Sequence, residues 1–278
     1  MEPEDVLKGY VDEILMREGW SRMEVAPISY DELSGMDSSE LRAVLDANGR
    51  NNEYLKVLLH RIANILEFGQ DLFLPEDGEP DDGWFLIPNG FMGGLQPSMD
   101  LEVGRTIVSD ARDILLSRGD YALNPDEAII MERESRLSLA YRFEFEHGDF
   151  FRGRRTLVVD AMEGTVETSM WGQGQSVADP ILAKDLVDRL HSIYMADWLD
   201  DYRGSPIGHM TIKKWSESIG ESTMFDAVDG YGWSLTVFSE GFQEPLRFMG
   251  YKDVPYNYHQ LVDILGEDPS TMDIHLEC

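Results

Sequence analysis

The sequence predicts an α+β fold in which a helical N-terminal part packs with an antiparallel sheet and a small C-terminal α+β module follows. Three observations predict it. Apolar residues recur three and four apart through the first 120 residues, the period shortens to two from about Leu137 to Met170, and both periods return beyond Pro206.

Residues 4–18 set Val6, Tyr10, Val11, Ile14 and Leu15 at helical spacing, with Gly19 where such a helix stops. Ser38 or Ser39 caps a short second helix through Leu41, Val44 and Leu45, with Gly49 as its end. A third helix runs from Tyr54 to Phe68. It is apolar around much of its circumference, through Leu55, Leu58, Leu59, Ile62 and Ile65, and this places it in the middle of a core. From Gln70 to Pro97 turn residues and acids dominate, with Trp84 to Ile87 as a short strand. Ser98 opens a fourth helix that Gly119 ends.

In the middle, Leu137, Leu139, Tyr141, Phe143 and Phe145 alternate with polar or small residues, the pattern of a strand with one solvated face. Strands at Arg155–Asp160 and Thr165–Met170, joined by a turn at Met162 to Gly164, complete an antiparallel meander. Asp179 before Pro180 starts a helix that extends to about Tyr202. Arg203 to Pro206 is the expected boundary between a domain at 1–204 and a module at 205–278. In that module Trp233, Leu235 and Val237 lie on one face of a strand. A turn at Glu240 and Gly241 leads to Leu246–Met249 as its partner, and a last helix spans about Asn257 to Leu265.

The chain carries 53 acidic and 23 basic residues, a net charge of -30 over 278 residues. The acids fall on segments with strong apolar periodicity, and 42% of the residues are hydrophobic, so the charge coats a folded protein and is not a disordered acidic tail. Such a balance repels nucleic acid and favours a basic protein surface as partner. The 17 Arg against 6 Lys also fit coding bias or adaptation to high salt, in which case the acidity is background. The lone cysteine, Cys278, rules out a disulfide within the chain and suits a reducing compartment. The start, with Glu2, Glu4 and Asp5, has no signal-peptide pattern, and no stretch approaches 18 apolar residues. A cytoplasmic protein without membrane contact is expected.

Two stretches resemble known domains. Asp229, Gly230, Trp233, Ser234 and Leu235, then Gly250, Tyr251, Pro255, Asn257, Tyr258 and Leu261, resemble an uncharacterised bacterial domain. In it an Asp-Gly and Trp strand is followed by a Gly-Tyr-x-x-x-Pro-x-Asn-aromatic helix start. That resemblance implies no activity; physically, Pro255 pins the loop, Asn257 caps the helix and Trp233 fills the core. Val159, Asp160, Ala161, Gly164 and Val166, after the strand at 137–147, are similar to PepSY-type domains. The resemblance implies a small binding or inhibitory module, often exported, although this chain lacks the export signal.

The candidate site is the acidic stretch Asp71, Glu76, Asp77, Glu79, Asp81 and Asp82, in a run between Arg61 and Arg105 that holds no Lys or Arg. Asp77, Glu79 and Asp81 imitate the first ligands of a calcium loop. The sixth position is Asp82 instead of Gly and the twelfth is Pro88 instead of Glu, which argues against an EF-hand. Asp77, Glu79, Asp81 and Asp82 are therefore read as docking residues for a basic partner. Glu144, Glu146, His147 and Asp149 form a second cluster, with Glu144 and Glu146 on one strand face.

The histidines His60, His147, His191, His209, His259 and His275 occur singly, without zinc spacing. Gly90, Gly93 and Gly94, and Gly172 with Gly174, read as turns because no phosphate-loop lysine or dinucleotide pattern accompanies them. Arg152, Arg154 and Arg155 make the one compact basic cluster and serve to offset neighbouring acids. No catalytic residue, metal or cofactor is expected.

These readings lead to a non-enzymatic binding protein whose acidic surface engages a basic partner. One version is an inhibitor or anti-defence protein that imitates nucleic-acid charge against a nucleic-acid-binding protein. The alternatives are a hydrolase assembled from distant residues such as Glu144, His147 and Asp149, and a structural or immunity-type module that binds through Tyr251, Tyr256 and Tyr258.

Overall fold

The computed structural model describes residues 8–9, 11–12, 14–16, 20, 25–68, 91–149, 153–170, 173–202, 232–251 and 253–265. The fold is α+β, and the chain divides into two compact units, Met1–Asn124 and Pro125–Cys278.

The first unit is helical. Val11, Ile14 and Leu15 lie on helical backbone and are buried, as the opening periodicity predicts. Helix α1 (Tyr30–Gly35) begins in a capping box: the Glu32 backbone N–H donates to the Ser29 hydroxyl, and the Ser29 N–H donates to the Glu32 carboxylate at 2.9 Å. That backbone N–H, then the hydroxyl, holds the Glu32 carboxyl below its usual pKa. Helix α2 (Ser38–Phe68) repeats the device, with Asp37 accepting from the Ser39 and Glu40 N–H groups and Glu40 accepting from the Asp37 N–H.

Helix α2 overturns one expectation, because it passes through Gly49 without a break. A mid-helix glycine costs about 1 kcal/mol against alanine. Leu41 and Leu45 before it and Leu55, Leu59 and Ile62 after it are all buried, and their burial on both sides of Gly49 offsets this cost.

Helix α3 (Gln96–Ser117) packs along α2, and Gly119, at φ 72°, turns the chain away beyond it. The N-terminal part of α2 meets the C-terminal part of α3 in a core of Leu33, Leu41, Leu45, Ala111, Ile114 and Leu115. Farther along α2, Asn52 lies against Gly104, so the two helices run antiparallel.

The second unit is built on a six-stranded antiparallel sheet in the order β4-β3-β2-β1-β5-β6. Its strands are β1 (Ala140–Asp149), β2 (Gly153–Asp160), β3 (Thr165–Met170), β4 (Gln173–Ala178), β5 (Gly232–Ser239) and β6 (Leu246–Tyr251). Its helices are α4 (Pro125–Ser138), α5 (Pro180–Leu190) and α6 (Tyr258–Leu265). Phe143 and Phe145 pair with Val159 and Leu157 on one side and with Val237 and Leu235 on the other, which puts six buried side chains on one face. Helix α5 covers β1, β2 and β3 on that face and packs on α6.

The meander, the second hairpin and the last helix form where their periods predict. The β2–β3 turn is set by Asp160, whose Oδ1 accepts from the N–H groups of Met162 and Glu163 at 2.9 Å. Gly164 closes it at φ 66°, where a Cβ would stand 3.1 Å from the backbone of Pro180.

Four readings are corrected. Leu137 belongs to helix α4, and the strand starts at Ala140, with a register shift against β5 between Ala140 and Arg142. Helix α5 ends at Leu190 instead of about Tyr202, yet the irregular stretch after it buries Ile193, Met195, Trp198 and Tyr202. Gly174, read as a turn residue, lies inside strand β4. Asn257 does not cap α6 through its side chain, which is committed to Trp198 and Tyr194. Strands from before and after Arg203–Pro206 lie side by side in one sheet, with β5 next to β1. No described helix is long and apolar enough to cross a membrane.

Candidate functional site

Asp77, Glu79, Asp81 and Asp82, expected to dock a basic partner, lie outside the described residues, as do Trp84 to Ile87, His209, His275 and Cys278.

The second cluster is split by the pleat. Glu144 and Glu146 share the face opposite the core, where Glu144 pairs with Arg142 and Glu146 with Arg154. Arg142 also reaches Asp160 at 3.4 Å. Burial pulls its pKa down, but the hydrogen bond and charge of Glu144, then Asp160, hold the guanidinium above its ordinary value. His147 points to the other face, stacked on Phe145 with ring centroids 5.0 Å apart. Burial, then the charge of Arg155, lowers its pKa to about 4, so the ring is neutral at pH 7. Glu144 and His147 therefore do not meet across one strand face, and neither is placed to pass a proton to the other.

Tyr256 and Tyr258 are buried and Tyr251 is half-buried. Tyr251 alternates to the other face of β6, whereas Tyr256 and Tyr258 belong to an interior in which Trp198 meets Phe248 edge-on at 5.4 Å and Trp233 lies 5.2 Å from Tyr258. Its polar atoms are paired within the fold. Trp198 Nε1 donates to Asn257 Oδ1 at 2.7 Å, Asn257 Nδ2 donates to the Tyr194 carbonyl at 2.9 Å, and Trp233 Nε1 donates to the Asp253 carbonyl at 2.8 Å. The Tyr256 hydroxyl donates to Asp197 at 3.0 Å. Burial raises the Tyr202 pKa, and the hydroxyl stays protonated while accepting from the Leu199 N–H. This assembly builds a core. Among the described residues no three His, Cys, Asp or Glu side chains stand close enough to hold a metal ion.

The disposition of charge is more informative. Many described arginines are turned to internal work. Arg118 donates to the carbonyls of Ser34 and Met36, Arg42 to that of Asp120, and Arg133 to that of Trp198 while lying over the Phe248 ring. Arg136 donates to the Glu244 carbonyl and lies over Phe242, and Arg112 is buried. Acids such as Asp46, Glu102, Asp126, Glu163, Asp185 and Glu240 are exposed. The charge is also even: 25 acidic against 10 basic residues in the first unit and 28 against 13 in the second leave each at -15.

Sequence reasoning missed one surface feature, the edge of the sheet at β4, which pairs only with β3 among the described residues. Gln173, Gly174, Gln175 and Ser176 are all exposed there. The stretch Gln-Gly-Gln-Ser-Val-Ala has neither β-branched alternation nor aromatics, so little in it marks a strand. The one available signal was its position directly after a well-defined strand. Compared with family models, curated proteins and solved structures, the chain finds no match.

Proposed function

We propose that the protein binds a basic partner through its acidic surface, with carboxylates standing where a nucleic-acid-binding protein would otherwise meet phosphates. The observation that carries this reading is the division of labour between charges. Many described arginines are spent on backbone carbonyls, aromatic rings and ion pairs, whereas many acids are left facing water in both units. A surface of this kind attracts cationic proteins over a distance set by ionic strength and raises their rate of encounter.

The test is recovery of partners on the immobilised full chain at low and at high salt, followed by competition with double-stranded DNA. The reading expects a basic protein that binds at low salt, is released as salt rises, and is displaced by DNA. Partners that are not basic, or binding that ignores both salt and DNA, would overturn it.

A further inference from the structure

The two edges of the sheet differ. β6 is flanked by the stretch that follows α5: Asp201 bridges to Met249, the Tyr202 N–H donates to the Met249 carbonyl at 2.8 Å, and the Met249 N–H donates to the Asp200 carbonyl at 3.0 Å. No described residue covers β4 in this way, and it is the other edge. Edge strands are ordinarily blunted by charges, proline or a bulge. β4 has no charged residue and no proline, and its register with β3 runs unshifted from Thr165↔Ala178 to Met170↔Gln173.

We propose that β4 is a docking edge that takes an extended, lysine- or arginine-bearing segment of the partner as a seventh strand. This rests on the acidic-surface reading above and gives it a place. Ser176 lies opposite Glu167 on β3, and its hydroxyl donates to Glu167 Oε1 at 3.3 Å. A residue added opposite Ser176 stands two strand spacings, about 9.6 Å, from Glu167. Over a side chain as short as serine, a lysine or arginine spans that gap and meets the exposed carboxylate. The neutral edge supplies main-chain hydrogen bonds without desolvating a charge, and the neighbouring acids select the sign of the partner. A second copy of this chain is the less favoured occupant, because it would bring another unit of -15 against the first.

The probes are a labelled heptapeptide alternating lysine with valine, the same peptide N-methylated at every backbone amide, and poly-L-lysine, each titrated against the full chain at low salt. N-methylation keeps the charge and removes strand pairing. The inference expects the unmethylated peptide to bind at least tenfold more tightly and to slow hydrogen exchange of amides within Gln173–Ala178. It expects Glu167→Gln to weaken that peptide several-fold.

Successive N–H groups on a strand point to opposite sides, so one of Gln175→Pro and Ser176→Pro removes an outward donor while leaving the β3 ladder intact. That variant, checked for native far-ultraviolet circular dichroism, should bind both peptides alike. Should both proline variants unfold, the exchange experiment on the unaltered chain decides alone. Equal affinity for the two peptides, or no protection of β4, overturns the docking edge. If poly-L-lysine still binds in that case, the acidic-surface reading survives; if poly-L-lysine fails as well, both fall.

Discussion

Trp233 occupies the space that a side chain on Gly250 would need. The two residues face each other across β5 and β6, and a Cβ on Gly250 would fall far inside van der Waals contact with the indole and with the Asp253 carbonyl that the indole N–H bonds. Gly250→Ala is expected to destabilise the second unit by about 1–3 kcal/mol, the usual cost of overpacking. Gly232→Ala, one pair along the same ladder with its nearest neighbours at 3.7 Å, should be neutral or stabilising. Urea denaturation followed by tryptophan fluorescence compares them, and equal effects would contradict the packing argument.

Asn257 ties the irregular stretch after α5 to the start of α6, accepting from Trp198 and donating to the Tyr194 carbonyl. Asn257→Leu leaves a buried indole N–H and a carbonyl without their partner, and a loss of about 2–4 kcal/mol is expected. Asn257→Ser, which could serve only one of them at best, should fall between the two. A loss below 1 kcal/mol for leucine would mean that the network is dispensable.

The seam between α2 and α3 carries a flaw that mutation should repair. Asn52 is buried against Gly104, and its Oδ1 has no hydrogen-bond partner. Valine has a similar size and helix propensity and no polar atom, so Asn52→Val is expected to raise stability by about 1–2 kcal/mol. Gly49→Ala, in open space on the same helix, should add about 0.5–1 kcal/mol. Thermal melts of the two variants and their double mutant check both signs.

His147 predicts an acid limit. Its pKa is about 4 in the folded protein against 6.5 for a free side chain, so the unfolded chain takes up the proton first as pH falls. The stability tied to its neutral ring is complete above about pH 6.5. It is lost progressively from there down to about pH 4, by up to about 3 kcal/mol. Titration of the ring by NMR should give a midpoint near 4. Arg155→Gln should move that midpoint up, because Arg155 is the second cause of the shift. An unshifted midpoint near 6.5 would show that the ring is solvated.

Elements with a clean period were legible from sequence: the β3 strand, the α6 helix and the buried alternation of Trp233, Leu235 and Val237 form as expected. The misreadings have physical causes. Gly49 has the local preference of a helix end, and only the packing of residues on both sides overrides it. Helix α4 escaped notice because it has no buried residue and is fastened by Arg133, Arg136 and Glu134, contacts that leave no periodic trace. Glu144 and His147, three apart in sequence, looked like neighbours, but the pleat sends them to opposite faces. The β4 edge needs the strand order to be seen at all.

The placement of β5 beside β1 has a consequence during synthesis. Strand β1 emerges from the ribosome with β2 close behind, but its second neighbour is not complete until Ser239 has been made. Until then Phe143 and Phe145 lack Val237 and Leu235, and β1 is itself an unsatisfied apolar border. Closing that long loop is a slow step set by topology more than by local preference. The nascent chain is thus most exposed to misassociation while residues 150–239 are being added, and a chaperone acting on it would find its target at β1.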